Sequence, residues 1–255
     1  MPELAPRLPM LVTQTRCEFV RLWRQPAFSL PSIALPVMFF TLFGLPRLGE
    51  RIAGADAGPY LLATFGAVSM TSVMLFSFGV GVAAERGAKV DILMRAAPLP
   101  PVVHLVARVL TALAFGVIIL SILFAYGGVA GVRQSPVDWV VMAICLLLGA
   151  LPFLAAGYAI GNAVSAGAAA PIVNLIWAPL SFGSGLFVPL PFLPSVIQQI
   201  APYLPSYRYA QLVLSSVGEA AEPVGECIAW LLAYGVLFTA GALYTTRTDR
   251  RRKFV

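Results

Sequence analysis

Hydrophobic positions in this chain come in long unbroken blocks. Between Asp138 and Arg208 lie 69 consecutive residues without a charged side chain. Charged residues are rarely buried whole, yet a domain folded in water needs them on its surface. A helix crosses the hydrocarbon core of a bilayer in roughly 20 apolar residues. The long block therefore holds two crossings and a piece that does not cross. Four more charge-free runs, Gln25–Pro46, Ala57–Ala84, Val109–Val132 and Cys227–Thr246, are 22, 28, 24 and 20 residues long. Each is long enough to cross once. The short alternating segments of a closed barrel are absent, so every crossing is expected to be a helix.

The pattern predicts an all-α integral membrane protein with a single transmembrane domain over residues 1–255. Its six spans are expected at 28–46, 60–84, 104–132, 139–162, 170–189 and 227–246. In the long block, Pro191, Pro194, Pro202 and Pro205 interrupt the apolar sequence. Proline removes a backbone donor and breaks helices, and the pieces between are too short to cross. Residues 191–209 are expected to form short re-entrant helices on the extracellular side, before the last span. Such broken backbone is tolerated at membrane depth only where protein or water covers it.

Charge sets the expected orientation. Six spans put both ends on one side. That side collects Arg7, Arg16, Arg21, Arg24, Arg86, Lys89, Arg95, Arg108, Arg247, Arg250, Arg251, Arg252 and Lys253, 13 of the 17 basic residues. The other side holds Arg47, Arg51, Arg133 and Arg208. By the positive-inside rule both termini are expected in the cytoplasm. This bias accounts for the +6 net charge without a nucleic-acid partner. The tail Arg250–Lys253 suits anionic lipid.

Ahead of the first span, residues 8–24 read as an amphipathic helix lying on the inner membrane surface. Leu8, Leu11, Val12, Thr15, Phe19 and Leu22 share one face, with Arg7, Gln14, Arg21 and Arg24 mostly on the other. The first 25 residues carry four arginines and no apolar run of seven, so no secretory leader is expected.

Composition agrees with a membrane protein. Hydrophobic residues make up 59% and charged residues 11%, against about 25% charged in soluble domains. Cys17, Cys145 and Cys227 fall on separate elements at different expected depths and read as small apolar fillers. The single histidine, His104, has no second ligand at metal-binding spacing and reads as a helix-start residue. Ser184, in Phe182-Gly183-Ser184-Gly185, lacks the base a serine nucleophile needs. Ion-coupled transporters usually keep ionisable residues inside their spans, and the charge-free blocks have none. No phosphate-binding loop of the P-loop type occurs. A membrane-embedded enzyme is thus disfavoured. A source of energy outside this chain is expected.

Three stretches, in order, resemble one family. Arg24-Gln25-Pro26, then Leu35-Pro36-Val37 and Phe39-Phe40-Thr41-Leu42-Phe43-Gly44, look like the entry to the first span of type-2 ABC exporter permeases. Glu85-Arg86-Gly87, with the residues to Pro98-Leu99-Pro100, resembles that family's loop between spans two and three. Leu193-Pro194-Ser195 through Leu204-Pro205, with Tyr207 and Tyr209, is similar to its re-entrant helices. One departure is Ala88-Lys89-Val90-Asp91, where the family often has a small residue followed by Glu.

The resemblance implies the permease subunit of an ATP-driven exporter in the bacterial plasma (inner) membrane. A second copy or homologue would pair with it, and a cytoplasmic ABC ATPase subunit would bind ATP and Mg, leaving no cofactor in this chain. Glu85, Arg86, Gly87, Asp91, Leu93 and Arg95 would form the loop that couples to the ATPase, with Arg21 and Arg24 resting on it. That loop mixes charges with Ile92, Leu93 and Met94, which suits a docking ridge. Met74, Phe78, Asn174, Phe182, Phe187 and Tyr207 would line the substrate path or outer gate. Such aromatic and Met-rich walls suit an amphipathic drug, lipid or lipid-linked substrate. The alternative is a secondary transporter or channel not driven by ATP. That class predicts paired broken helices in the two halves, and the sequence has one broken segment.

Overall fold

A computed structural model describes residues 7–52, 54–90 and 100–252. The described residues form a helical bundle with one two-stranded hairpin. The helices are α1 (Arg7–Trp23), α2 (Pro26–Phe39), α3 (Ala57–Gly87), α4 (Pro101–Val129) and α5 (Pro136–Gly149), followed by α6 (Leu151–Ala163), α7 (Ala166–Gly183), α8 (Ser195–Ile200), α9 (Pro205–Leu214) and α10 (Val224–Arg252). The hairpin pairs β1 (Arg51–Ile52) antiparallel with β2 (Ala55–Asp56) ahead of α3. Among the described residues, six helical stretches are long and apolar enough to cross a membrane. They are Pro26–Arg47, Ala57–Gly87, Val102–Val129, Pro136–Ala163, Ala166–Gly183 and Val224–Thr246. The expected all-α membrane architecture is present.

Several prolines sit where helices begin, though Pro31, Pro36, Pro171 and Pro179 lie inside helices. Pro26, Pro101 and Pro136 open α2, α4 and α5, where the missing N–H costs nothing. Ser135 caps α5 by accepting from the Asp138 N–H at 3.1 Å. The chain leaves α2 through one wide turn, Phe40–Gly44, and one tight turn, Leu45–Arg47. Thr41 ties that wide turn to α4, its hydroxyl 2.9 Å from that of Tyr126.

Helix α3 is the axis of the bundle. Its most apolar stretch is 72% buried, against 17–39% for the other five. Leu62, Met70, Met74 and Phe78 are wholly enclosed. Against α6 it packs backbone to backbone, through Gly157-x-x-x-Gly161. A Cβ at Gly157 would stand 2.8 Å from the Leu75 carbonyl oxygen. One at Gly161 would stand 2.8 Å from the carbonyls of Phe78 and Gly79. Small residues at this spacing let membrane helices approach without side chains between them.

The proline-rich stretch breaks into short pieces, each started by a proline. Leu190–Phe192 and Ala201–Tyr203 are single tight turns, and Pro194 and Pro205 sit at the starts of α8 and α9. All ten residues of α9 are buried. The Tyr209 hydroxyl donates to the Leu146 carbonyl at 2.7 Å, and its ring lies 5.7 Å from that of Phe153. Gly149 makes the room, since a Cβ there would meet the Tyr209 ring at 2.6 Å. The segment therefore reaches the middle of the α5–α6 pair.

Two features differ from the sequence reading. The fifth long helix runs Ala166–Gly183, not 170–189. Gly185 turns the chain with φ +81°, so Ser184 to Pro189 belong to the connection. In α1, the face turned to α4 is mixed. Glu18 and Leu22 are buried, Leu11, Gln14, Thr15 and Arg21 half-buried, while Leu8, Val12 and Trp23 are exposed.

Candidate functional site

Glu85-Arg86-Gly87 lies at the last turn of α3, and its three residues face three ways. Glu85 turns toward α4 and α1. Arg108, on α4, grips the carboxylate with both terminal nitrogens, Nη1 to Oε2 and Nη2 to Oε1, each at 2.9 Å. Arg21, on α1, donates through Nη1 to Oε1 of the same carboxylate and through Nη2 to Glu18 Oε2 at 2.7 Å. His104 stands between the acids. Its Nδ1 is 3.8 Å from Glu18 Oε1 and its Nε2 is 3.8 Å from Glu85 Oε2.

Local sequence builds this cluster. His104 and Arg108 are four apart and share one face of α4, as Gln14, Glu18 and Arg21 share one stripe of α1. Arg108 passes over the Phe78 ring at 5.5 Å, beside Gly81, where a Cβ would stand 2.9 Å from Nη2. A side chain at 81 would have to displace that guanidinium. The Arg108 side chain is 6% exposed. A cation that enclosed is held by charge-assisted bidentate bonds, and removing its partner is costly.

Arg86 points the other way. Its Nη1 donates to the carbonyls of Gly161 at 2.9 Å and Val164 at 3.3 Å. These are among the last carbonyls around the end of α6, which lack partners within their helix. Gly87 lets α7 approach, since a Cβ there would meet the Ala166 Cβ at 3.0 Å. Three consecutive residues thus join the end of α3 to α1, α4, α6 and α7. Lys89 then turns the chain at φ +55°, a conformation uncommon outside glycine.

Of the other residues expected at the coupling surface, Arg24 is exposed just past α1. Asp91, Leu93 and Arg95 lie outside the described residues. The sequence reading did not assign Gln14, Glu18, His104 or Arg108 to this site. The four-residue spacing of His104 and Arg108 was the available signal, as was Glu18, the lone acid within an arginine-rich helix.

The residues expected along a path separate into three groups. Met74 and Phe78 have no exposed surface and belong to the core. Asn174, with Trp177, lines a cleft of about 190 Å³ between α2, α3 and α7, together with Ser32, Ser69, Ser72, Phe28, Phe39 and Phe76. Phe187 stands on Phe39 at 5.7 Å and stacks on Phe182 at 4.7 Å, extending the aromatic wall. Tyr207, 4% exposed, lies in a third place, beside Arg208.

At the opposite end of the bundle from Glu85, Arg208 ties the broken segment to α10. Its Nε donates to the Pro202 carbonyl at 2.9 Å. Its Nη1 lies 3.2 Å from Glu222 and 3.1 Å from Glu226, and the guanidinium covers the Trp230 ring at 5.3 Å. Burial first, then the Glu222 carboxylate, push the Tyr207 phenol above its ordinary value, and Arg208 opposes them.

A larger crevice of about 820 Å³ lies between α5, α6 and α10. Among the described residues that line it, Thr239 carries the one side-chain hydroxyl. It has no polar set to orient a ligand, as the smaller cleft has.

Residues 54–244 match the model of the ABC-2 family transporter proteins. Over 241 residues the chain is 29% identical to a Bacillus subtilis (strain 168) protein named "Putative transport permease YvfS", covering 93% of this chain and 97% of that one. With that match over most of its length and six apolar helices, this chain belongs to the ABC-2 transporter family, as a multi-pass membrane permease.

Proposed function

We propose that this permease is the transmembrane subunit of an ATP-driven exporter, powered by a separate cytoplasmic ATPase that binds at the Glu85 end. The observation that carries the reading is the three-way fastening of Glu85, Arg86 and Gly87. A force applied to residues 88–100 reaches α1, α4, α6 and α7 together, because all four are bonded to, or in contact with, one turn of α3. A solvated loop would need no such fastening. In this reading Glu85 and Arg21 face inward and hold the docking loop in place. Arg24 and residues 88–100 are left to touch the ATPase.

Charge bias puts the Glu85 end, and both termini, in the cytoplasm of a bacterial plasma membrane. The α9 segment is then re-entrant from the outside, and α1 rests at the inner surface with Leu8, Val12 and Trp23 toward lipid. The cleft between α2, α3 and α7 is the substrate side. At about 190 Å³ it is smaller than common ligand pockets of roughly 300–1,000 Å³, which fits half of a site completed by a second permease copy. Its aromatic walls and uncharged polar groups, Ser32, Ser69, Ser72 and Asn174, suit efflux of an amphipathic drug, lipid or lipid-linked molecule.

The test is co-expression with candidate ABC ATPases and purification through a tag on this chain alone. An ATPase that follows it, and hydrolyses ATP faster with it than without, supports the reading. If none follows, ATP-driven export is the wrong reading.

A further inference from the structure

At the end of the bundle away from Glu85, a polar cleft of about 660 Å³ lies between the hairpin, the α4–α5 turn and the turn after α9. Asp56, Arg133, Gln134, Asp138, Ser215 and Ser216 line it. Among the described residues, the two carboxylates and the guanidinium share this space without a hydrogen bond or ion pair of their own. The Gln134 side-chain oxygen is buried and has no hydrogen-bond partner. The Ser215 and Ser216 hydroxyls donate to the Leu212 and Val213 carbonyls at 2.6 and 2.7 Å, which leaves their oxygens to accept. The walls are thus mostly acceptors, two of them anionic, with one cationic donor. Their complement is a group rich in N–H bonds beside an anion.

The apolar crevice between α5, α6 and α10 continues from this cleft, because two segments line both. Asp138 of α5 lines the cleft, while Cys145 and Leu148 line the crevice. With Val141 between them, these residues fall on one face of the helix. At the end of α9, Leu212 lines the crevice, and Ser215 and Ser216, one turn on, line the cleft. From Asp138 to Leu148 is about 15 Å along the helix axis, half of a hydrocarbon core of roughly 30 Å. Val141, Leu148, Leu232 and Val236 are exposed, so the crevice opens toward the lipid.

We propose that cleft and crevice are one binding site for a phospholipid whose headgroup carries a primary ammonium. Arg133 pairs with the phosphate. Asp56 and Asp138 accept from the ammonium, and the Gln134 oxygen gains the partner it lacks. One acyl chain follows α5 into the crevice. A second copy of this chain would cover the crevice and leave the charges of the cleft unmatched. A soluble zwitterion would match the cleft and leave the crevice open. The phospholipid satisfies both, and it joins the hairpin and the α4–α5 turn to the broken segment and α10. This site is separate from the cleft between α2, α3 and α7, and it does not rest on the ATPase reading.

The experiment is native mass spectrometry of the full chain in detergent, with phosphatidylethanolamine, phosphatidylcholine or phosphatidylglycerol added in turn. The ethanolamine lipid should bind about fivefold more tightly than the other two, the scale of one partly exposed ion pair. The choline head has no N–H to donate, and the glycerol head has no cation. Asp56→Asn and Asp138→Asn should each remove most of that preference, and either serves if the other folds poorly. At Gly235 an added Cβ meets only Pro152 Cγ, at 3.9 Å, so Gly235→Leu should fill the crevice and weaken all three lipids. Glycerophosphoethanolamine, the same head without chains, should compete poorly. Equal binding of the three lipids, or a preference that survives both aspartate variants, would overturn the proposal. Competition by the chainless head as strong as by the lipid would overturn it in favour of a soluble ligand. A dimer that Gly235→Leu splits would overturn it in favour of a second copy.

Discussion

Arg108 and Glu85 meet through two parallel bonds of 2.9 Å each, joining α4 to the last turn of α3. Buried pairs of this kind add little net stability when whole, because desolvation offsets attraction. They cost about 3–5 kcal/mol when one partner is removed. Glu85→Ala should therefore destabilise the chain by about that amount, read as a lowered thermal midpoint in nanodiscs. Adding Arg108→Met should recover much of the loss. If the double variant were as unstable as the single one, the cost would lie elsewhere than in an orphaned guanidinium.

The glycine contact between α3 and α6 leaves no room for growth. Gly161→Ala would push a methyl group against two carbonyl oxygens, and overpacking of this kind costs about 1–3 kcal/mol. Gly167 has nothing within 4 Å of an added Cβ, so Gly167→Ala should be neutral. Folded yield after detergent extraction compares the two. Equal yields would mean the helices are not in backbone contact.

Core and cleft are separated by substitution. Met74→Ala and Phe78→Ala should each lose about 2–5 kcal/mol, as buried large-to-small changes do. Asn174→Ala and Ser72→Ala should leave stability unchanged and alter the response of ATP hydrolysis to substrate. Stable Met74 or Phe78 variants with altered transport would place the path through α3 instead.

At the far end, Arg208→Gln should free the broken segment from α10. Its hydrogen bond to Pro202 and its ion pairs with Glu222 and Glu226 would weaken together, and amide protection across residues 195–214 should fall while that of α3 holds. Uniform loss of protection would mean that Arg208 supports the whole fold, not this one segment.

Much of the architecture was legible because membrane burial leaves a mark on sequence. Charge-free runs located six helices, and prolines at 191, 194, 202 and 205 located a segment that could not be one helix. The end of the fifth helix was harder, since Pro189 looks like a terminus, while the turn is made earlier by Gly185. The site was half legible. Glu85-Arg86-Gly87 stood out by resemblance, but the direction in which each side chain points depends on partners distant in sequence. Glu85 with Arg108, and Arg86 with Gly161, are matched only once α4 and α6 are docked. Met74 and Phe78 look like lining residues because lipid, core and path all select the same side chains. Only burial tells them apart.

In the proposed function, the end of α3 passes force between an ATPase and the helices around it. That role is tested most directly by ATP hydrolysis in proteoliposomes, comparing wild type with Glu85→Gln in the complete complex. Glu85→Gln keeps the side chain's shape and removes its charge. The ATPase should still co-purify with the variant, since its proposed contact lies beyond Glu85. Hydrolysis should no longer rise when substrate is added. Hydrolysis as responsive to substrate as in wild type, from a folded variant, would contradict it.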